Sequence, residues 1–96
     1  MSKKDILEIL KKFKAKNSSR FRLIRLGLFG SYAKDSQRED SDIDIVVELP
    51  EQDFFELIDI KNELEKEFNK SVDVISYREK MNAFLKKRIE QEAIYV

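Results

Sequence analysis

Cysteine and histidine are both absent from this 96-residue chain. The chain therefore has no thiolate nucleophile, no imidazole base and no ordinary zinc site. Chemistry on this chain must rely on carboxylates, whose hard oxygen atoms suit Mg²⁺, with Mn²⁺ as a substitute. Because Mg²⁺ commonly combines one or two carboxylates with substrate phosphates, the expected metal ion would arrive with a nucleotide.

Long apolar stretches are also missing, and the start of the chain runs straight into an amphipathic segment instead of an apolar leader. We therefore expect no membrane span and a cytoplasmic protein. Charged residues make up 40% of the chain and apolar residues 42%, which is typical of a soluble globule. A chain of this length should form a single domain over residues 1–96, too small for separate catalytic and substrate-binding domains.

The charges sum to zero but are unevenly distributed. Residues 1–25 carry nine Lys or Arg against two acids, whereas residues 35–67 carry thirteen acids against three bases. The basic beginning could contact RNA or could be the solvated face of a helix. We favour the helix face, because the lysines lie between apolar residues at helical spacing, and nucleic acid is not an expected partner.

Hydrophobic periodicity predicts four helices and three strands. The first half should contain a helix opened by a Ser2/Asp5 capping box and broken at residues 17–19, a buried strand over 21–29, a short helical turn from Ser31 and a loop over 34–41. The second half should contain strands over 42–48 and 72–75, a helix from Phe54 with Asn69 as its stop, a helix through 81–93 and an apolar tail over 94–96. One sheet with helical cover, an α/β (α+β) fold, is the economical arrangement, and the pattern leaves the strand order open.

The segment from Gly30 to Asp44 combines features that suit a nucleotide and its metal ion. Glycine lets the backbone approach an anion closely, and Ser31 offers both an amide and a hydroxyl at the start of a helical turn. Asp42 and Asp44 are separated by one residue on a predicted strand. Their carboxylates should project to one face, with Cα atoms about 6.5–7 Å apart, and can therefore share a metal cluster.

Together these residues resemble a known family. The run Phe29-Gly30-Ser31, ten residues, then Asp42-Ile43-Asp44-Ile45, with Asp73 on a later strand, resembles the signature of the DNA polymerase beta nucleotidyltransferase superfamily. The short length and this spacing are similar to those of the minimal nucleotidyltransferase (MNT) group. The resemblance spans nearly the whole chain, and the compound motif is far more specific than either half.

The resemblance implies a polymerase beta-like fold with the elements in the order helix, strand, helix, strand, helix, strand, helix, and with a small mixed sheet in strand order 1-2-3. It implies that Asp42, Asp44 and Asp73 are catalytic and bind metal, Asp73 also helping to activate an acceptor hydroxyl. It further implies that Gly30 and Ser31 bind the phosphates of the nucleotide.

Two positions near the phosphate turn depart from the pattern of the family. Lys34 stands where relatives commonly have Arg, and it is a candidate phosphate contact that lacks the bidentate geometry of a guanidinium. Asp35 stands where relatives often have Gly, so that a negative charge replaces a conformationally permissive residue.

The implied reaction moves a nucleoside monophosphate, AMP from ATP, to a hydroxyl group. MNT proteins are often paired with a helical HEPN protein, act as antitoxins and can adenylylate a tyrosine of the HEPN toxin, so the resemblance implies protein AMPylation within a homo- or hetero-oligomer. The alternative is a non-catalytic antitoxin or binding module that neutralises a partner by complex formation. Phe54 and Phe55 are adjacent and cannot share a helix face, so one of them is expected to mark a partner surface.

Overall fold

The computed structural model describes residues 1–96 and contains four helices and four strands. In chain order these are α1 (Lys3–Lys16), β1 (Arg25–Phe29), α2 (Gly30–Ala33), β2 (Ile43–Glu48), α3 (Phe54–Phe68), β3 (Val72–Ser76), α4 (Ala83–Glu92) and β4 (Ile94–Tyr95). None of the helices combines the length and the apolar composition needed to cross a membrane.

The sheet is mixed and has the strand order β3-β2-β1-β4. β1 is antiparallel to both β2 and β4, whereas β2 and β3 are parallel. The expected mixed sheet is confirmed, but the order 1-2-3 omitted a strand, because the tail over 94–96 supplies β4. Gly27 pairs with Tyr95, and a Cβ on Gly27 would lie 2.8 Å from the tyrosine ring. The absence of a side chain at Gly27 therefore lets β4 close against β1.

The first helix begins with the predicted capping box. The Ser2 hydroxyl accepts a hydrogen bond from the Asp5 amide, and the Asp5 carboxylate accepts one from the Ser2 amide, each at 3.2 Å. These hydrogen bonds lower the pKa of Asp5. Ile6 and Leu10, on the inner face of α1, are fully buried. The capping box and the apolar stripe thus fix both the start of this helix and its orientation on the sheet.

Two predicted strand boundaries are wrong at their first residues. The strand expected over 21–29 begins at Arg25, because the Phe21 amide donates to the Asn17 carbonyl at 2.9 Å in a turn that follows α1. Phe21 is buried and stacks on Phe13 with ring centroids 6.1 Å apart, so its apolar character serves core packing. The second strand begins at Ile43, which leaves Asp42 just outside it.

The third helix has both predicted ends. Asp53 caps its first turn, and Asn69 ends it in the left-handed conformation at φ 52°. The periodicity predicted an apolar stripe of Phe54, Leu57, Ile58, Leu64 and Phe68. The buried stripe is shifted from it, because Ile60 is fully buried while Phe54 is 69% and Ile58 is 53% exposed. The buried residues of α3, Ile60, Leu64 and Phe68, lie in its later turns, whereas Leu57 of the first turn is only partly buried against the core.

The sheet has a large core on one face and a small one on the other. Ile43, Ile45 and Val47 of β2 belong to the large core with α1 and α3. Val46 belongs to the small core, which includes Ile89 of α4. Because side chains alternate along a strand, Asp44 lies on the α4 face of the sheet, two residues before Val46.

Candidate functional site

Asp44 and Asp73 lie side by side on the parallel strands β2 and β3. They are paired in the register, so their carboxylates share one face of the sheet, on strands about 4.8 Å apart. Asp42 lies just before β2, near enough for its charge to act on Asp44. Asp44 is half-buried, whereas Asp42 and Asp73 are exposed. Strand pairing thus brings Asp44 and Asp73 together, and Asp42 adds a third negative charge nearby.

The charge environment of Asp44 is unfavourable for an unaccompanied carboxylate. Burial raises the pKa of Asp44, and the negative charges of Asp73 and then Asp42 raise it further. Each of these effects opposes ionisation of Asp44, and a cation placed between the carboxylates would relieve the repulsion. The site therefore favours occupation by a positive ion.

Gly30 brings the phosphate turn against Asp44. Its neighbour Phe29 is paired with Asp44 in the register of β1 and β2, and Gly30 itself has φ +72°. A Cβ at position 30 would lie 3.1 Å from Asp44 Cγ and 3.3 Å from Asp44 Cβ, with the carboxylate closer still. Both the left-handed backbone and this contact require glycine.

Backbone hydrogen bonds hold the turn that follows Gly30. The amide of Ser36 donates to the Ser31 carbonyl at 2.9 Å, and the amide of Lys34 donates to the Gly30 carbonyl at 3.2 Å. The Ser31 side chain is half-buried, and its hydroxyl makes no hydrogen bond within the chain. The hydroxyl is therefore available to an incoming ligand.

The ammonium of Lys34 is directed to α4. It pairs with Glu92, and this hydrogen bond lowers the pKa of Glu92. Asp35 adopts φ 55° and pairs with Lys3 of α1, the Lys3 Nζ lying 3.1 Å from Asp35 Oδ2. The left-handed conformation at Asp35 explains why a glycine would suit this position, and the two ion pairs attach the loop to the first and last helices.

The donor set fits a Mg²⁺ ion that is completed by a substrate. No group of three or more acidic side chains is arranged closely enough to hold a metal ion by itself. Mg²⁺ commonly uses one or two carboxylates together with phosphate oxygens and water, and Asp44 with its flanking acids can supply the former.

A groove beside Asp73 was not predicted from the sequence. It has a volume of about 590 Å³ and runs along β3 between the start of α3 and the start of α4. Phe54 lines one wall and Leu85 the other, and Asp73 lies among its lining residues. The adjacent phenylalanines, expected to expose one ring, in fact expose both, since Phe54 is 69% and Phe55 82% exposed. That pair was the sequence signal for this surface.

Comparison with known proteins places these observations in a family. The sequence model of the nucleotidyltransferase domain family matches residues 8–96 of this chain. A candidate protein adenylyltransferase of Methanocaldococcus jannaschii is 40% identical over 95 residues, which cover 96% of this chain and 95% of that protein. The protein adenylyltransferase MntA of Thermococcus cleftensis is 30% identical over 93 residues, covering 96% of this chain and 93% of MntA.

Solved structures agree with this assignment. A structure described as a candidate minimal nucleotidyltransferase superposes with a TM-score of 0.82 at 26% identity, covering 98% of this chain and 95% of that one. A complex of a tri-AMPylated HEPN toxin with an MNT antitoxin from Shewanella oneidensis gives a TM-score of 0.62 at 20% identity, covering 97% of this chain and 66% of that one, and shows a shared fold. The match to the family model over residues 8–96 and the relatives at 30–40% identity show that this chain belongs to the nucleotidyltransferase domain family.

Proposed function

We propose that this chain transfers AMP from ATP to a tyrosine hydroxyl of a HEPN partner protein, and that it thereby acts as an antitoxin. The observation that carries this proposal is the pairing of Asp44 with Asp73 on adjacent strands, with the Gly30 turn packed directly against Asp44. The Gly30 turn suits a triphosphate, and the pair of aspartates suits a metal ion and an acceptor hydroxyl. Because the turn packs against Asp44, nucleotide binding and the proposed transfer would occur at the same site.

The residues divide the work of an in-line transfer. The Gly30 backbone and the Ser31 hydroxyl bind the triphosphate, and Asp42 and Asp44 are the residues that would hold Mg²⁺. The bound ion supplies neutralisation of the phosphate charge. The exposed carboxylate of Asp73 accepts a hydrogen bond from the incoming hydroxyl and then takes its proton.

The step conserves atoms and charge. The acceptor oxygen forms a bond to the α-phosphorus of ATP, while the bond from that phosphorus to the bridging oxygen breaks and pyrophosphate leaves. The hydroxyl proton passes to the Asp73 carboxylate. Positioning and electrostatic stabilisation account for the catalysis, as is general for phosphoryl-group transfer.

A partner protein as acceptor is supported by the relatives of the chain. The relative from Thermococcus cleftensis is named as a protein adenylyltransferase, and the fold is shared with an antitoxin bound to an AMPylated HEPN toxin. We infer that a HEPN protein encoded beside this chain is both its partner and its substrate.

Label transfer tests the proposal. The chain is incubated with Mg²⁺, ATP labelled at the α-phosphate and the HEPN protein, and label on the HEPN protein is measured after electrophoresis. We expect Asp42→Asn and Asp44→Asn each to lower transfer by about 100-fold or more. The matched control is Asp59→Asn, which changes an exposed aspartate of α3 and should leave the rate unchanged.

A non-catalytic antitoxin is the second candidate. It is favoured by the exposed aromatic side chains of Phe54 and Phe55 and by the absence of a preformed cage of three acidic ligands. Stable complex formation without any transfer of label from ATP, under conditions where the Asp44→Asn complex is equally stable, would decide for this candidate. Omission of Mg²⁺ and its replacement by Mn²⁺ in the same assay test the identity of the ion.

A further inference from the structure

β3 is an open edge of the sheet. Its one neighbouring strand is β2. The hydrogen bonds at the two ends of the β2–β3 pair show which residues of β3 direct their backbone groups to β2. The Ile43 amide donates to the Ser71 carbonyl at 3.1 Å, and the Tyr77 amide donates to the Val47 carbonyl at 2.8 Å. In a parallel ladder, alternate residues bond to the same side. The odd-numbered residues of β3 therefore face β2, and the even-numbered ones direct their backbone groups outward.

The outward backbone groups of β3 are satisfied at one end and free further along. The Val72 amide donates to the Glu65 carboxylate of α3 at 3.0 Å. The amides of Val74 and Ser76 have no partner among the hydrogen bonds of the chain. Free backbone groups on a strand edge are a template for another strand. The template here begins directly after Asp73.

The groove of about 590 Å³ lies against these free groups. Phe54 and Ile58 of α3 form one apolar wall, and Met81 and Leu85 form the other. Asp73 is at the groove as well, so the groove is continuous with the proposed catalytic centre. A segment seated in the groove would meet unpaired backbone at its floor and apolar side chains on both sides.

The charges of the groove favour an acidic occupant. Lys61 and Arg78 both line it. Lys61 forms no ion pair, and Arg78 donates to the neutral amide oxygen of Gln52 at 2.7 Å. Two cations without acidic partners thus accompany the apolar walls, opposite the single acid Asp73. A bound segment with its acceptor hydroxyl near Asp73 and an acidic side chain near Lys61 or Arg78 would complement these charges.

We propose that the groove along β3 receives an extended segment of the partner protein, which pairs with the backbone of Val74 and Ser76 and delivers its hydroxyl side chain to Asp73. A strand satisfies the free edge, whereas a helix would leave those groups unpaired. This inference rests on the proposed function, because it assigns the place where the protein acceptor binds. It also gives the chain a substrate selectivity, for a hydroxyl in an extended, apolar and partly acidic segment.

Two groove variants with matched controls test this inference. Val74→Pro removes the outward amide while preserving the bonds to β2, and Val74→Ala is its control for the loss of side-chain contacts. Phe54→Ser removes an apolar wall, and Phe84→Ser is its control because Phe84 is 73% exposed but does not line the groove. The affinity of each protein for the co-encoded HEPN protein is measured by titration calorimetry, and its affinity for the ATP analogue AMP-PNP is measured in parallel.

We expect Val74→Pro and Phe54→Ser each to weaken the complex with the HEPN protein by about tenfold or more, and the Phe84→Ser control by less than about twofold. Equal affinities in all variants would overturn the inference. So would a loss of AMP-PNP affinity in place of partner affinity, which would assign the groove to the nucleobase. Should Val74→Pro fail to fold, as judged by circular dichroism, Phe54→Ser decides alone, since Phe54 is an exposed residue.

Two further outcomes separate this inference from neighbouring ones. If the wild-type chain sediments as a dimer that Phe54→Ser dissociates, with unchanged affinity for the HEPN protein, the groove binds a second copy and the inference is wrong. If groove variants weaken the complex but no label is transferred even by the wild-type chain, the proposed enzymatic function fails and the docking of the partner in the groove stands.

Discussion

Substitution of Gly30 by alanine tests the contact between the phosphate turn and Asp44. Alanine at φ +72° costs about 1–3 kcal/mol, because a Cβ is disfavoured in the left-handed region. The new Cβ also meets the Asp44 carboxylate and lies 3.1 Å from its Cγ, so Asp44 must rotate away at about 0.5–1.5 kcal/mol. The two effects together should lower the free energy of unfolding by about 1.5–4.5 kcal/mol.

A double-mutant cycle separates the two effects. Asp44→Ala removes the carboxylate but keeps the Cβ, so Gly30→Ala in that background should retain the conformational cost and the 3.3 Å contact between the two Cβ atoms. The two substitutions should therefore couple by about 0.5–1.5 kcal/mol, the cost of rotating the carboxylate. The assay is urea denaturation of the four proteins without metal. As a control, Gly27→Ala displaces the Tyr95 ring of β4 and should be additive with Asp44→Ala. An equal cost of Gly30→Ala in both backgrounds, within about 0.3 kcal/mol, would refute the contact.

Three further predictions concern stability. Burial and the charges of nearby acids raise the pKa of Asp44 above its ordinary 3.8. The protonated carboxyl therefore stabilises the metal-free fold below about pH 3.8, and this contribution is lost as the pH rises through the raised pKa. Urea denaturation should show Asp44→Asn to be more stable than wild type at pH 7, with a difference that shrinks at low pH and that Mg²⁺ with AMP-PNP reverses. Asp35→Gly should raise the free energy of unfolding by about 1 kcal/mol, because relief at φ 55° exceeds the loss of the exposed ion pair with Lys3; a lower midpoint in urea would contradict this. Tyr95→Phe removes a buried hydroxyl without a partner while keeping the ring 4.6 Å from the Arg25 guanidinium, so thermal denaturation should show equal or higher stability, and a large loss would mean that the hydroxyl is hydrogen-bonded.

Elements with local signals were predictable from the sequence. The capping box at Ser2 and the left-handed stop at Asn69 act within a few residues, and both are where the sequence predicted them. β4 was missed because a two-residue strand has no periodicity, and its existence depends on a free edge of β1 beside Gly27. The exposure of Phe54 was missed because it depends on how far α3 extends past the sheet.

The sequence predicted those parts of the candidate site that follow from the alternation of side chains along a strand and from the family resemblance. Spacing predicted Asp42 and Asp44 on one face of a strand, but β2 begins at Ile43 and leaves Asp42 outside it. The family resemblance added Asp73, which the structure places beside Asp44. Contacts between segments that are distant in sequence could not be predicted from it. The packing of Gly30 against Asp44 depends on the register of β1 with β2, and the pairing of Lys34 with Glu92 depends on where the last helix ends.

The unequal edges of the sheet limit how copies of this chain can aggregate. At one edge, β4 contributes two residues, too few to serve as a template for a further strand, and the other edge is the five-residue β3. Growth of a filament by strand addition needs two competent edges on every molecule. A chain with one competent edge can pair with a single further strand at that edge, and the assembly then grows no further. The short closing strand therefore disfavours open-ended growth by strand addition and leaves β3 as the longer free edge of the sheet.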